Sequence, residues 1–313
     1  MKNYTSINDI PDLSILIKEA IALKKNPFQF ESLGKHKTLV MLFFNSSLRT
    51  RLSTEKAAQN LGMKTMVLNI NNAWNLEFDD GTVMNLNTSE HIKEAARVIS
   101  QYADLIAVRA FPELIDKVKD EYEIIINGFK TYATVPIISM ESSTAHPLQA
   151  LADAITITEL SSKQKPKVVL SWAPHPKALP HAVANSFVKM IQQLDVDFEI
   201  THPEGYELNP KITKGVTINY DQNEALRKAD FVYVKNWSNY KDYGKVTNED
   251  PNWMITKSKL DQAKFMHCLP VRRNVVVEDA VLDSDQSVVI EQANNRTFAA
   301  QIIMKKLLEN LNE

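Results

Sequence analysis

Residues 43–51 read FFNSSLRTR, two arginines and a run of hydroxyls directly after an apolar stretch with the pattern of a buried strand. That combination is a small, dense anion trap. If a helix begins near Leu48, the unpaired N–H groups of its first turn and its macrodipole bring partial positive charge to the loop, the usual seat of a phosphate. Arg49 adds a bidentate, charge-assisted contact, and Ser47 and Thr50 offer hydroxyls that position oxygen atoms without adding charge. Arg51 is read as a buttress of the loop. The plain alternative is an ordinary helix cap with two surface arginines. The chain has only seven glycines and neither GxGxxG nor GxxxxGK[ST], which argues against a Rossmann cofactor and a P-loop nucleotide. The phosphate therefore belongs to a small substrate, and no cofactor and no metal is expected.

The elements that must position this loop are legible along the chain. Apolar, β-branched runs recur at 37–44, 65–70, 104–110, 135–140, 167–173, 198–203, 230–237 and 264–270, and helix-period segments separate most of them. Such alternation predicts an α/β protein of two domains, each a parallel sheet flanked by helices. At 313 residues, two domains are also the natural expectation. We place the first at 1–144 and the second at 145–290, with 291–313 a C-terminal helix packing back on the first. Ligands of open α/β sheets gather beyond the carboxyl ends of the strands. The polar residues that follow strands here include Ser46 to Arg51, Trp74, Arg109, Glu141 to His146, His175, Lys235, Cys268 and Arg272.

Composition narrows the partners. A net charge of -2 with interspersed signs gives no basic face for nucleic acid. One cysteine permits neither an intramolecular disulfide nor a Cys-rich zinc site and fits a reducing compartment. The polar start and the lack of a long apolar run point to a cytoplasmic protein without a membrane partner.

Four motifs, in order, resemble those of one family. Ser47-Leu48-Arg49-Thr50-Arg51 is similar to the S-T-R-T-R loop of the transcarbamylases, and His146-Pro147-Leu148-Gln149 to their H-P-x-Q. His267-Cys268-Leu269-Pro270 resembles the H-C-L-P of the ornithine branch, and Gln292-Ala293-Asn294-Asn295-Arg296 its Q-A-x-N-R. The resemblance spans residues 47–296. It implies a transferase of the aspartate/ornithine carbamoyltransferase superfamily, in which an amine attacks the carbonyl carbon of carbamoyl phosphate and phosphate leaves.

By that resemblance Ser47, Leu48, Arg49 and Thr50 hold carbamoyl phosphate together with Arg109, His146, Cys268, Leu269 and Arg296. Cys268 and Leu269 orient the amine, and the leaving phosphate can take its proton. Charge develops on the carbonyl oxygen, for which Thr50, Arg109 and His146 are the candidate donors. Gln149 can bind the carbamoyl NH2 through its side-chain oxygen. Arg49, Thr50, Arg109, His146, Gln149 and Cys268 form the implied catalytic set. The family also implies a homotrimer with shared active sites, in which Trp74 reaches the carbamoyl phosphate of a neighbouring subunit.

The amine is read from a departure. Ornithine enzymes of the family carry an aspartate after a strand of the second domain and an S-M-G motif beyond it, whereas this chain has Lys235 there and no SMG. A lysine repels a free α-ammonium and favours a carbonyl or carboxylate. The substrate is therefore expected to be an ornithine with an acylated α-nitrogen, as in the N-succinylornithine and N-acetylornithine branch, which shares the SWAPHP and HCLPVRRN runs. There Glu141, His175, Lys235 and Arg272 would contact the acylated ornithine. By the resemblance Ser89 aligns with a position that tends to be glutamate in acetyl enzymes and proline in succinyl enzymes; it matches neither, but serine, unlike glutamate, does not repel a succinyl carboxylate. We therefore expect N-succinyl-L-ornithine as acceptor in arginine biosynthesis. N-acetyl-L-ornithine is the alternative, and a catalytically silent, anion-binding regulatory protein the third reading.

Overall fold

The computed structural model describes residues 1–70 and 74–311. It forms two compact units, unit 1 of Met1–Pro112, Val118–Leu148 and Arg296–Glu313, and unit 2 of Glu113–Lys117 and Gln149–Asn295. The division thus falls at Leu148/Gln149 rather than at Thr144, and the C-terminal helix is divided at Asn295/Arg296.

The first half of the chain runs α1 (Leu13–Lys25), β1 (Thr38–Phe43), α2 (Arg49–Asn60), β2 (Lys64–Asn69), the two-residue strands β3 (Leu76–Glu77) and β4 (Glu90–His91), α3 (Ile92–Tyr102), β5 (Leu105–Arg109), α4 (Lys117–Glu121), α5 (Ile124–Tyr132) and β6 (Ile137–Glu141). The second runs α6 (Pro147–Leu160), β7 (Lys167–Trp172), α7 (Ala182–Ile191), β8 (Asp197–Thr201), β9 (Thr217–Asn219), α8 (Gln222–Leu226), β10 (Phe231–Lys235), α9 (Lys257–Leu260), β11 (Lys264–Met266), α10 (Asp279–Leu282) and α11 (Val289–Leu311).

Unit 1 is built on a parallel sheet of order β2-β1-β5-β6. β1, β5 and β6 are almost wholly buried because helices cover both faces of a parallel sheet, which is why they read as unbroken apolar runs. The chain leaves β1 toward β2 and returns to β5 on the other side, so the strand order reverses between β1 and β5. There Phe43 pairs with Arg109. The loop after β1 and the arginine ending β5 are therefore neighbours at a topological switch point, where ligands of such sheets collect. The helix that follows the loop is closed by Gly62 at φ +76, whose N–H returns to the Gln59 carbonyl at 2.9 Å.

Unit 2 repeats the logic with order β11-β10-β7-β8-β9 and its reversal between β7 and β10, where Trp172 faces Lys235. Two fully buried indoles fill its core. Trp172 Nε1 donates to the Trp237 carbonyl at 3.0 Å, and Trp237 Nε1 to that of Tyr206 at 2.8 Å, so neither buried N–H is lost. The short strands β3, β4 and β9 were not read from the sequence, since two or three residues carry no period. Among the described residues no helix is long and apolar enough to cross a membrane.

Leu170 lies fully buried in the middle of β7. Leu170→Ala removes that packing and is expected to cost about 2–5 kcal/mol in urea unfolding. A loss below about 1 kcal/mol would mean that the core refills the space.

Candidate functional site

In unit 1, residues 44–48 connect β1 to α2 and Leu48 is the N-cap. No side chain caps this helix from the N-cap position; instead Ser47 Oγ accepts the Thr50 N–H at 3.3 Å. The loop borders a cavity of about 760 Å³ lined in part by Asn45, Ser46, Ser47, Leu48 and Arg51. Arg51 lies over the Phe43 ring at 5.7 Å and pairs with Glu55 at 3.6 Å, so it supports the loop as well as lining the cavity.

Arg109 organises this end of the sheet. Its NH1 donates to the carbonyls of Asn45 at 3.0 Å and Ser46 at 2.8 Å, and its NH2 meets the Glu141 carboxylate at 3.2 Å. The same carboxylate lies 3.5 Å from His146 Nε2, with all three side chains buried. Burial lowers the pKa of Arg109; Glu141 opposes that shift, and the nearby Arg49 charge adds to it. The buried Nε–H of Arg109 has no hydrogen-bond partner among the described residues. Arg296, on α11, donates from NH2 to Thr50 Oγ1 at 2.7 Å. Arg49, Thr50, Arg109, His146 and Arg296 thus all belong to the same unit, with Thr50 and Arg296 in direct contact.

Two residues that sequence reasoning missed hold this arrangement. Glu123, in the left-handed region at φ 56, accepts from Ser142 Oγ at 2.7 Å, Ser143 N at 3.1 Å and Thr144 N at 2.7 Å, fixing the loop that leads to His146. Asn45 Oδ1 accepts the Phe111 N–H at 2.6 Å and ties the loop after β1 to the segment after β5. No local pattern marks either residue, because both act across distant sequence.

Elsewhere in unit 1, Trp74 is half-buried against the apolar core. The Ser89 N–H donates at 2.8 Å to the carbonyl of Asn75, next in the chain to Trp74, and the Ser89 side chain is exposed. The parallel pairing of β3 with β4 thus brings together two sequence-selected residues.

In unit 2, His175 and Arg272 meet, with Arg272 Nε donating to His175 Nε2 at 3.1 Å. Nδ1 lies 2.9 Å from the Lys177 carbonyl and 3.1 Å from the Lys177 N–H; with Nε2 accepting from Arg272, a neutral ring carries its proton on Nδ1, which uses the carbonyl contact and forgoes the N–H one. Burial lowers the His175 pKa from 6.5; the Lys177 contact opposes this, and the charges of Arg272 and Lys235 reinforce it. Lys235 ends β10 at the switch point, so three sequence-selected residues share one electrostatic neighbourhood. Cys268 is buried, Leu269 adopts φ 55, and its N–H donates to His267 Nδ1 at 2.8 Å. Gln149 is buried on the first turn of α6.

Residues 2–159 match the family model "Aspartate/ornithine carbamoyltransferase, carbamoyl-P binding domain", and residues 180–307 match its partner, "Asp/Orn binding domain". The chain belongs to the aspartate/ornithine carbamoyltransferase family. It is a transferase of the carbamoyltransferase class. It is 48% identical to the N-succinylornithine carbamoyltransferase of Bacteroides fragilis (strain 638R), covering 99% of this chain and 100% of that one. It is 37% identical to the N-acetylornithine carbamoyltransferase of Xylella fastidiosa (strain 9a5c), over 98% of each. A solved N-acetyl-L-ornithine transcarbamylase with one glutamate replaced by serine, complexed with carbamyl phosphate and N-succinyl-L-norvaline, is similar at TM-score 0.90. That chain is 34% identical, with 98% of this chain and 100% of it covered.

The His175–Arg272 bond needs a neutral imidazole. Its contribution is full above the ordinary histidine value of 6.5 and is lost as pH falls through the lower folded value. A proton NMR titration of His175 is expected to show a midpoint below 6.5, removed from the spectrum in His175→Asn. A midpoint above that value would contradict a neutral imidazole accepting from Arg272.

Proposed function

We propose that the protein transfers the carbamoyl group of carbamoyl phosphate to the δ-amine of N-succinyl-L-ornithine, giving N-succinyl-L-citrulline and phosphate, as a step of arginine biosynthesis. The observation that carries the choice of amine is the clustering of His175, Lys235 and Arg272 in unit 2. An acceptor with two carboxylates and an amide suits this cluster, whereas a free α-ammonium is repelled by it.

Unit 1 supplies the donor side of the reading. Ser47, Leu48, Arg49 and Thr50 receive the phosphate at the N-terminus of α2. Arg109 retains an unused Nε–H for an oxygen of the ligand, and the like charges of Arg49 and Arg109 are relieved by an anion. Thr50, Arg109 and His146 stabilise the carbonyl oxygen as it becomes negative, and Arg296 holds Thr50 in place. Gln149 accepts from the carbamoyl NH2. Cys268 and Leu269 orient the amine, whose proton passes to the leaving phosphate. Glu141 anchors Arg109 and His146 and is assigned to the acylated ornithine by family resemblance alone.

Succinyl over acetyl rests on two supports. The N-succinylornithine relative is the more similar of the two types, at 48% against 37% identity. The solved N-acetylornithine relative is complexed with N-succinyl-L-norvaline in a form where serine replaces glutamate, and we align that position with Ser89. The exposed placement of Ser89 beside Trp74 fits a pair offered to a neighbouring copy in a homotrimer.

Purified protein is to be assayed for ureido product with carbamoyl phosphate and, in parallel, ornithine, N-acetylornithine, N-succinylornithine and aspartate. Turnover with N-succinylornithine alone is expected. A preference for N-acetylornithine would keep the Lys235 argument and discard that for Ser89, and use of free ornithine would discard both. Arg109→Ala is expected to lower kcat about 100- to 1000-fold, while Lys235→Ala raises the KM for the acylated amine roughly 10-fold with a smaller change in kcat. Equal effects on both parameters in both variants would overturn these roles. Trp74→Ala and Arg49→Ala proteins, each inactive, are expected to regain activity when mixed and reassembled; continued inactivity of mixed oligomers would rule out a shared site.

A further inference from the structure

A buried carboxylate of unit 2 sets the direction of two amides, and one of them belongs to the site. Asp153 lies one helical turn after Gln149 on α6 and is fully buried. Its Oδ1 accepts from Gln149 Nε2 at 2.7 Å and from Gln292 Nε2 at 2.7 Å. Both glutamines therefore present their NH2 groups to one carboxyl oxygen, and for Gln292 the His267 N–H on its Oε1 requires that orientation. Gln149 Oε1 is thereby the atom not engaged by Asp153, and Gln292 Oε1 accepts the His267 N–H at 2.9 Å. Tyr233, fully buried beside Asp153 and Cys268, is held in its protonated form by burial and by the Asp153 charge. All of these residues lie in unit 2.

We propose that Asp153 is a positioning residue. It fixes the Gln149 amide so that the oxygen, and not the NH2, meets the carbamoyl NH2, and through Gln292 it steadies the backbone entering Cys268 and Leu269. The proposal rests on the role given to Gln149 under the proposed function. Its physical content is one of polarity. A glutamine amide has nearly the same shape in its two orientations, yet only one of them accepts from an amine. With the amide reversed, two NH2 groups face each other and a buried donor goes unmet. The carboxylate removes that choice before the substrate arrives.

A double-mutant cycle with Asp153→Asn and Gln149→Ala tests this, read as ureido product alongside melting temperature. Asparagine keeps the shape of Asp153 but offers an NH2, which permits Gln149 to turn over. Asp153→Asn is expected to lower kcat roughly 10- to 100-fold with little change in the KM for the acylated amine. In the Gln149→Ala background the same substitution is expected to have almost no further effect on kcat. Independent, multiplying losses in the double variant would overturn the proposal and leave Asp153 a merely structural group. Neutron diffraction from deuterated wild-type crystals gives the same answer without any substitution, should the Asp153 variant fail to fold. Deuterons on the Gln149 atom facing Asp153 support the proposal, and an oxygen there overturns it. Wild-type protein with no ureido product from any amine would count against the proposed function, while the neutron result still decides the amide orientation.

Discussion

The ligand end of unit 1 depends on one buried guanidinium. Arg109 ends β5, and its hydrogen bonds to the Asn45 and Ser46 carbonyls pull the loop after β1 toward the neighbouring strand, while its ion pair with Glu141 reaches the end of β6. Three consecutive strand ends of the sheet are thus joined by one planar group, a task for which a flexible lysine lacks the geometry. Burying the cation is costly, and Glu141 offsets part of the cost. Arg49 works the other way, adding like charge near Arg109. Positive potential is therefore concentrated at the N-terminus of α2 in a chain whose net charge is only -2.

Unit 2 gathers cations by a different device. His175 stays neutral, accepts from Arg272, and spends its other nitrogen on the backbone of Lys177. The imidazole acts as an uncharged prop that fixes the Arg272 side chain without consuming its positive charge. Lys235, at the reversal of the sheet, completes a surface suited to carboxylates. The charges of Arg272, Lys235 and Lys177 around His175 repel a cation as much as they attract an anion, and specificity is a difference between two binding energies.

The interior polar groups follow a common rule: an amide is useful only once its direction is fixed. Asn60 Nδ2 donates to Gln301 Oε1 at 2.9 Å, leaving Gln301 Nε2 for the Pro27 carbonyl. Asn295 Nδ2 donates to Thr156 at 3.0 Å and to Glu159 at 2.8 Å. With Gln292 and Arg296 these place a row of buried polar residues along α11, a helix whose sequence reads as simply amphipathic. Asn60 Oδ1 has no hydrogen-bond partner among the described residues, so the network is not fully satisfied, but in a low-dielectric interior a reversed amide would leave further buried groups unmet and so favours one arrangement.

The amino-acid sequence by itself determined the two parallel sheets. Strands covered on both faces must be apolar throughout, so runs such as KTLVMLFF and KVVLSWA are visible without any partner. It also carried candidates for the chemistry of the strand ends, since Ser47, Arg49, Thr50, Arg109, His146, Lys235 and Arg272 are types able to bind anions. Short β9 was invisible because three residues carry no period, and Glu123 and Asp153 were overlooked because nothing in their own neighbourhood marks them. Only the tertiary structure decided which groups meet. Thr50 and Arg296 are 246 residues apart, and Asp153 and Gln292 are 139 apart, yet each pair is separated by one hydrogen bond. Local pattern reports what a residue can do, whereas the direction in which a buried donor points is set by the acceptor that folding brings to it.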